Sequence, residues 1–115
     1  ASMKKYTDSP MWNARLNRKM WELYLRDGDH GMPKYAAPML AGDFSGLPPA
    51  YVEVEEFDCL HDEGVAYACA LEAVGGVVQL EDVKGTFHGF DFFMGTISKA
   101  MAEKRTQALR NIFCH

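Results

Sequence analysis

The chain has 115 residues, enough for one domain, with 48% apolar and 24% charged side chains and a formal net charge of −4. That balance disfavours nucleic acid or an anionic membrane as partner, since both reward a basic surface. No apolar run approaches the ~20 residues that span a bilayer, and the opening stretch ASMKKYTDSP lacks the apolar segment of a secretory signal. Ala1 and Ser2 ahead of Met3 read as a cloning remnant. Cys59, Cys69 and Cys114 form an odd set without a C-x-x-C pair. They read as reduced thiols of a cytoplasmic protein rather than as a disulfide frame or a zinc site.

Residues 1–8 read as a flexible start, and a helix is expected from Ser9 as N-cap, with Pro10 at its first position. Trp12, Leu16, Met20, Leu23 and Tyr24 recur at helical spacing on one face. Trp12, Trp21 and Met20 could instead line a pocket, but a stripe packed on the core is the simpler reading. RDGDHGMP ends the helix, and a loop rich in Pro, Gly and Ala runs to residue 49. AYVEVEEF, residues 50–57, is a strand in which apolar residues alternate with glutamates. Asp62 and Glu63 favour a helix start, and Gly75 and Gly76 a helix end. Cys69 reads as a small core residue of that helix, and His61 on its first turn as solvated. A second strand covers residues 77–83. After a glycine turn, Ile97, Ala100, Met101, Ala108, Leu109, Ile112 and Phe113 mark one face of a closing helix over 96–115.

The middle of the chain, residues 50–95, is therefore strand–helix–strand within one α/β domain. Such a crossover makes the strands parallel. Asp58 follows the first strand and His88 follows the second by a short turn. Both then lie at the carboxyl rim, where open α/β sheets place their ligand sites. An acid beside a histidine supplies two members of a catalytic triad: the carboxylate orients the imidazole, and the imidazole takes a proton from a nucleophile. A capping aspartate and a packed histidine, flanked by Phe87, Phe90, Phe92 and Phe93, would give the same positions. A metal cluster of Asp58, His61, Asp62 and His88 lacks any paired histidine spacing to support it.

The words FDCLHDEG and FHGF, with His88 thirty positions after Asp58, resemble the C-terminal part of the hormone-sensitive-lipase-like esterases of the α/β-hydrolase fold. The resemblance extends upstream through YAAPMLAGDFSGLPP and SPMWNARLNRKMWELYL. It implies a serine carboxylic-ester hydrolase acting on small acyl esters, with Asp58 as triad acid and His88 as general base. No cofactor and no metal are implied. Two departures stand out. Cys59 occupies the position of the family's proline. The nucleophile motif G-x-S-x-G and the H-G-G-G-type oxyanion loop are both absent from this chain. Ser45, in GDFSGL, lacks the elbow's first glycine and follows no strand. The expectation is thus a C-terminal portion of such an enzyme, inactive alone, with an open strand edge that favours a homodimer. The rival expectation is a non-catalytic α/β module acting by association.

Overall fold

The computed structural model describes residues 1–93 and 95–113. The described residues form five helices: α1 Ser2–Lys5, α2 Ala14–Tyr24, α3 Pro33–Ala36, α4 His61–Ala73 and α5 Thr96–Phe113. Two strands, β1 Ala50–Glu55 and β2 Val78–Val83, and short 3-10 turns at Pro38–Leu40 and Phe90–Phe92 complete the described chain. The strands pair in parallel, with Ala50 opposite Val78 and Glu55 opposite Val83. α4 is the crossover between them. The expected parallel unit is therefore present, with each strand one or two residues shorter than its apolar pattern.

α4 starts on acidic residues, Asp62 and Glu63, which oppose the positive end of the helix dipole. It ends on a left-handed Gly75 with φ +82°. Gly75 N–H donates to the Glu72 carbonyl at 2.9 Å and Gly76 N–H to the Leu71 carbonyl at 3.0 Å. These two bonds are a Schellman close, which satisfies carbonyls that the helix end would otherwise orphan. Gly64 lets α4 lie against β1: a Cβ there would come within 2.5 Å of the Val54 side chain.

The N-terminal helix begins later than Ser9. Asn13 is the N-cap of α2, and its side chain accepts from the backbone of Arg15 and Leu16. Ser9 instead donates its hydroxyl to the Phe57 carbonyl at 2.8 Å, which fastens the approach to α2 onto the end of β1. The expected flexible start also differs. α1 is helical, Ser2 is buried, and its hydroxyl donates to the Cys59 carbonyl at 2.8 Å.

Ala14 and Asn17 form the buried side of α2, while Leu16, Leu23 and Tyr24 face outward. α5 likewise turns Met101 and Ala108 inward and leaves Ile97, Leu109, Ile112 and Phe113 exposed. Cys69 is exposed and Cys59 fully buried, so the core thiol is the one beside Asp58. Burial pushes the Cys59 thiol up to about 11, so it stays protonated at neutral pH. Cys114 and His115 lie outside the described residues. No described helix is long and apolar enough to cross a membrane.

Candidate active site

The two strand exits are stitched together before any side-chain chemistry is considered. Glu56 N–H donates to the Val83 carbonyl at 3.2 Å and Phe57 N–H to the Thr86 carbonyl at 2.9 Å. The Glu56 carboxylate accepts from Gly85 N–H at 2.8 Å. Thr86 returns its hydroxyl to the Val83 carbonyl at 2.7 Å. The loop after β1 and the turn after β2 are thereby one rigid rim.

Asp58 and His88 meet on that rim. His88 Nδ1 lies 2.7 Å from Asp58 Oδ2, the reach of a charge-assisted hydrogen bond. A carboxylate only accepts, so Nδ1–H is the donor. Asp58 Oδ1 accepts Leu60 N–H at 2.9 Å, and the acid's second oxygen thereby secures the start of α4. The capping role weighed for Asp58 and its pairing with His88 thus coexist, one on each oxygen. The Asp58 side chain is 4% exposed and the His88 side chain 46%. The arrangement shields the acid and presents the far edge of the imidazole, Nε2, outward.

Gly89 makes this turn possible. Its φ of +75° is left-handed, and the chain then enters the 3-10 turn at Phe90–Phe92. Phe90 packs with Val83 and Met101 in the core, so the residue two places after His88 anchors the turn. Of the four aromatics around His88, Phe92 and Phe93 are exposed. The histidine is therefore mounted on a packed turn without being enclosed by it. The Trp12 ring lies 6.1 Å from the His88 ring, centroid to centroid, and supplies one wall. Trp21 instead lines a separate hollow of about 470 Å³ with Pro38, Met39 and Tyr67.

Glu55 is the residue that sequence reasoning missed. Donor atoms of Glu55, Asp58 and His88 all lie within 4.8 Å of one another. Burial, with the Asp58 charge as the next cause, pushes the Glu55 carboxyl up to about 7. Its signal was its place on the last turn of chain before Asp58, but strand alternation reads it as solvent-facing. Among the described residues this is the one acid–histidine group compact enough for a metal ion. An ion would have to displace the Nδ1–H from Asp58, and we assign none.

The remaining candidates separate from the site. His61 is not freely solvated: Nδ1 is 3.1 Å from Asp62 and Nε2 3.5 Å from Asp82. The four-residue cluster weighed above is therefore split between two places. Each serine hydroxyl has its own acceptor away from His88: Ser2 on Cys59, Ser9 on Phe57, Ser45 on Asp43 and Ser98 on Phe93.

Comparison with known proteins places this chain in a family. A family model described as alpha/beta hydrolase fold matches residues 1–92. The chain belongs to the α/β-hydrolase fold family. Over 90 residues it is 42% identical to the carboxylic ester hydrolase LipN of Mycobacterium tuberculosis, covering 76% of this chain and 24% of LipN. Esterase LipI of the same organism is 29% identical over 100 residues, covering 86% of this chain and 31% of LipI. Among solved structures, a bacterial heroin esterase superposes with a TM-score of 0.88 at 35% identity, covering 96% of this chain and 37% of that one. This α/β-hydrolase chain spans about a quarter to a third of the length of the curated relatives it matches.

Proposed function

We propose that this chain supplies the acid and the general base of a serine carboxylic-ester hydrolase acting on small acyl esters. The observation that carries the reading is the 2.7 Å contact between a buried Asp58 and a half-exposed His88. In such a site a serine Oγ attacks the ester carbonyl while His88 Nε2 takes the hydroxyl proton. The tetrahedral intermediate collapses, and the imidazolium passes that proton to the departing alkoxide, releasing the alcohol. Water then attacks the acyl-enzyme with His88 again as base, which frees the acid and restores the serine. Asp58 holds the ring and stabilises its charged form throughout. The reading assigns the serine and the oxyanion donors to a part outside these 115 residues, because the sequence holds no G-x-S-x-G and no H-G-G-G-type loop. It needs no metal or cofactor. Two free thiols, Cys59 and Cys69, suit a reducing cytoplasm.

A chimera tests this directly. The matching segment of LipN is replaced by residues 2–92 of this chain, and turnover of a short-chain chromogenic ester is measured. The expected result is a working esterase that loses at least ~10³-fold in kcat on His88→Ala. A folded chimera whose turnover is indifferent to His88→Ala contradicts the reading. The chain alone should show no ester turnover that depends on His88.

One observation favours a second reading, self-association. Among the described residues β1 pairs only with β2, and the apolar outer face of α2 is uncovered. A homodimer that covers these surfaces is compatible with the esterase reading and sufficient for a non-catalytic module.

A further inference from the structure

The acid of the Asp58–His88 pair has a neighbour that neither the resemblance nor the relatives assign. Glu55 closes β1 three residues before Asp58, and its backbone carbonyl accepts the Asp58 N–H at 3.1 Å. The turn that places Asp58 therefore places Glu55 as well. Its side chain sits on the same face of β1 as Tyr51 and Glu53, the face that Arg105 of α5 reaches. A carboxyl oxygen of Glu55, one of Asp58 and a ring nitrogen of His88 all lie within 4.8 Å of one another.

Resting on the reading of Asp58 and His88 above, we propose that Glu55 is a positioning residue for His88: a second carboxyl whose charge sets how readily the imidazole holds a proton. Three charged groups act on Glu55, namely Asp58 and Glu53 on its own stretch and His88 on the turn after β2. Across the sheet stands Val83, and α4 brings Gly64 against the neighbouring Val54. Arg105 is engaged by Glu53 and Asp91 and so does not neutralise Glu55.

The chemistry follows from the spacing. Two carboxylates so close resist simultaneous ionisation, and a protonated Glu55 leaves Asp58 as the single charge facing the ring. With Glu55 held up to about 7, its proton is lost to solvent near neutral pH. The imidazole then faces two negative charges and binds its proton more tightly. In the complete site that adjusts His88 between taking the serine proton and giving it to the leaving alcohol.

The test is an NMR titration of the 115-residue chain between pH 4 and 9. It follows the Glu55 carboxyl carbon and the His88 ring in the parent, Glu55→Gln and Asp58→Asn. The Glu55 midpoint should lie near 7 in the parent and fall in Asp58→Asn, which removes the neighbouring charge. The His88 midpoint should fall by about half a pH unit or more in Glu55→Gln, the sign expected when a negative charge at this range is neutralised. A folded Glu55→Gln chain with an unmoved His88 midpoint overturns the proposal. If that variant does not fold, the parent decides: the His88 curve must show a second inflection at the Glu55 midpoint, and a single inflection overturns the proposal. An Asp58→Asn chain with an unmoved His88 midpoint overturns instead the acid–histidine reading beneath it.

Discussion

At the scale of single residues, the rim depends on positions where only one side chain suits the backbone. Gly89 follows His88 directly and holds φ at +75°. An alanine there incurs the left-handed penalty, and its Cβ would stand 3.4 Å from the Phe92 ring. Gly89→Ala should therefore destabilise the chain by about 1–2 kcal/mol in urea unfolding. An unchanged midpoint would mean that the turn relaxes freely. The meeting of Asp58 and His88 at the strand ends, and the two glycines that close α4, were readable in the sequence, because strand ends and helix stops leave local signals. Glu55 was not readable. Alternation along β1 sends Glu53 and Glu55 to what looks like a water-facing side, and nothing local shows that α5 and the His88 turn cover it. Asn13 was obscured by a better-looking start, Ser9–Pro10, whose serine is spent on a tertiary contact.

Among the elements, the least legible is α5. Its wide apolar pattern predicts a broad buried stripe, yet only Met101 and Ala108 are buried, with Arg105 between them in sequence. Arg105 adds a polar link to the apolar contact that Met101 makes with Val83 and Phe90. Its Nε donates to Glu53 Oε2 at 3.0 Å and its Nη2 to the other oxygen of that carboxylate. Its Nη1 donates to Asp91 Oδ2 at 2.8 Å. Tyr51 adds its hydroxyl to Glu53 at 2.8 Å. One guanidinium thus ties α5 to β1 and to the 3-10 turn that follows His88. Arg105→Met should destabilise by about 1–2 kcal/mol, the scale of a charge-assisted pair discounted for partial exposure. Arg105→Lys should recover little of it, since a point charge cannot make the forked contact. Equal stability of parent and Met variant by thermal unfolding would show that apolar packing alone holds α5.

For the molecule as a whole, the sequence indicated the parallel unit, its rim and the uncovered Leu16 and Leu23 stripe of α2, but not that most of the apolar face of α5 is uncovered as well. Periodicity shows which residues share a face and is silent on whether a partner for that face exists in the chain. Leu16, Leu23 and Tyr24 are 45%, 60% and 61% exposed on α2, and among the described residues the sheet has two strands. Small isolated sheets are marginal, and a strand with an open edge invites pairing. Hiding apolar area is worth roughly 25 cal/mol per Å², so covering several hundred Å² favours association by several kcal/mol before entropy costs. The chain should sediment at micromolar concentration as a dimer of the 12.9 kDa protomer. A compact folded monomer would contradict the exposed-edge argument.

The claim on which the functional reading depends is that Asp58 and His88 form an assembled acid–base pair with Nε2 left for a reacting group. The nitrogen-15 spectrum of the His88 ring at a pH where the ring is neutral tests it most directly. The proton should reside on Nδ1, held by Asp58, with Nε2 bare, and Asp58→Asn should redistribute it between the two nitrogens. A ring protonated on Nε2 in the parent, or a tautomer that Asp58→Asn leaves untouched, would contradict the account.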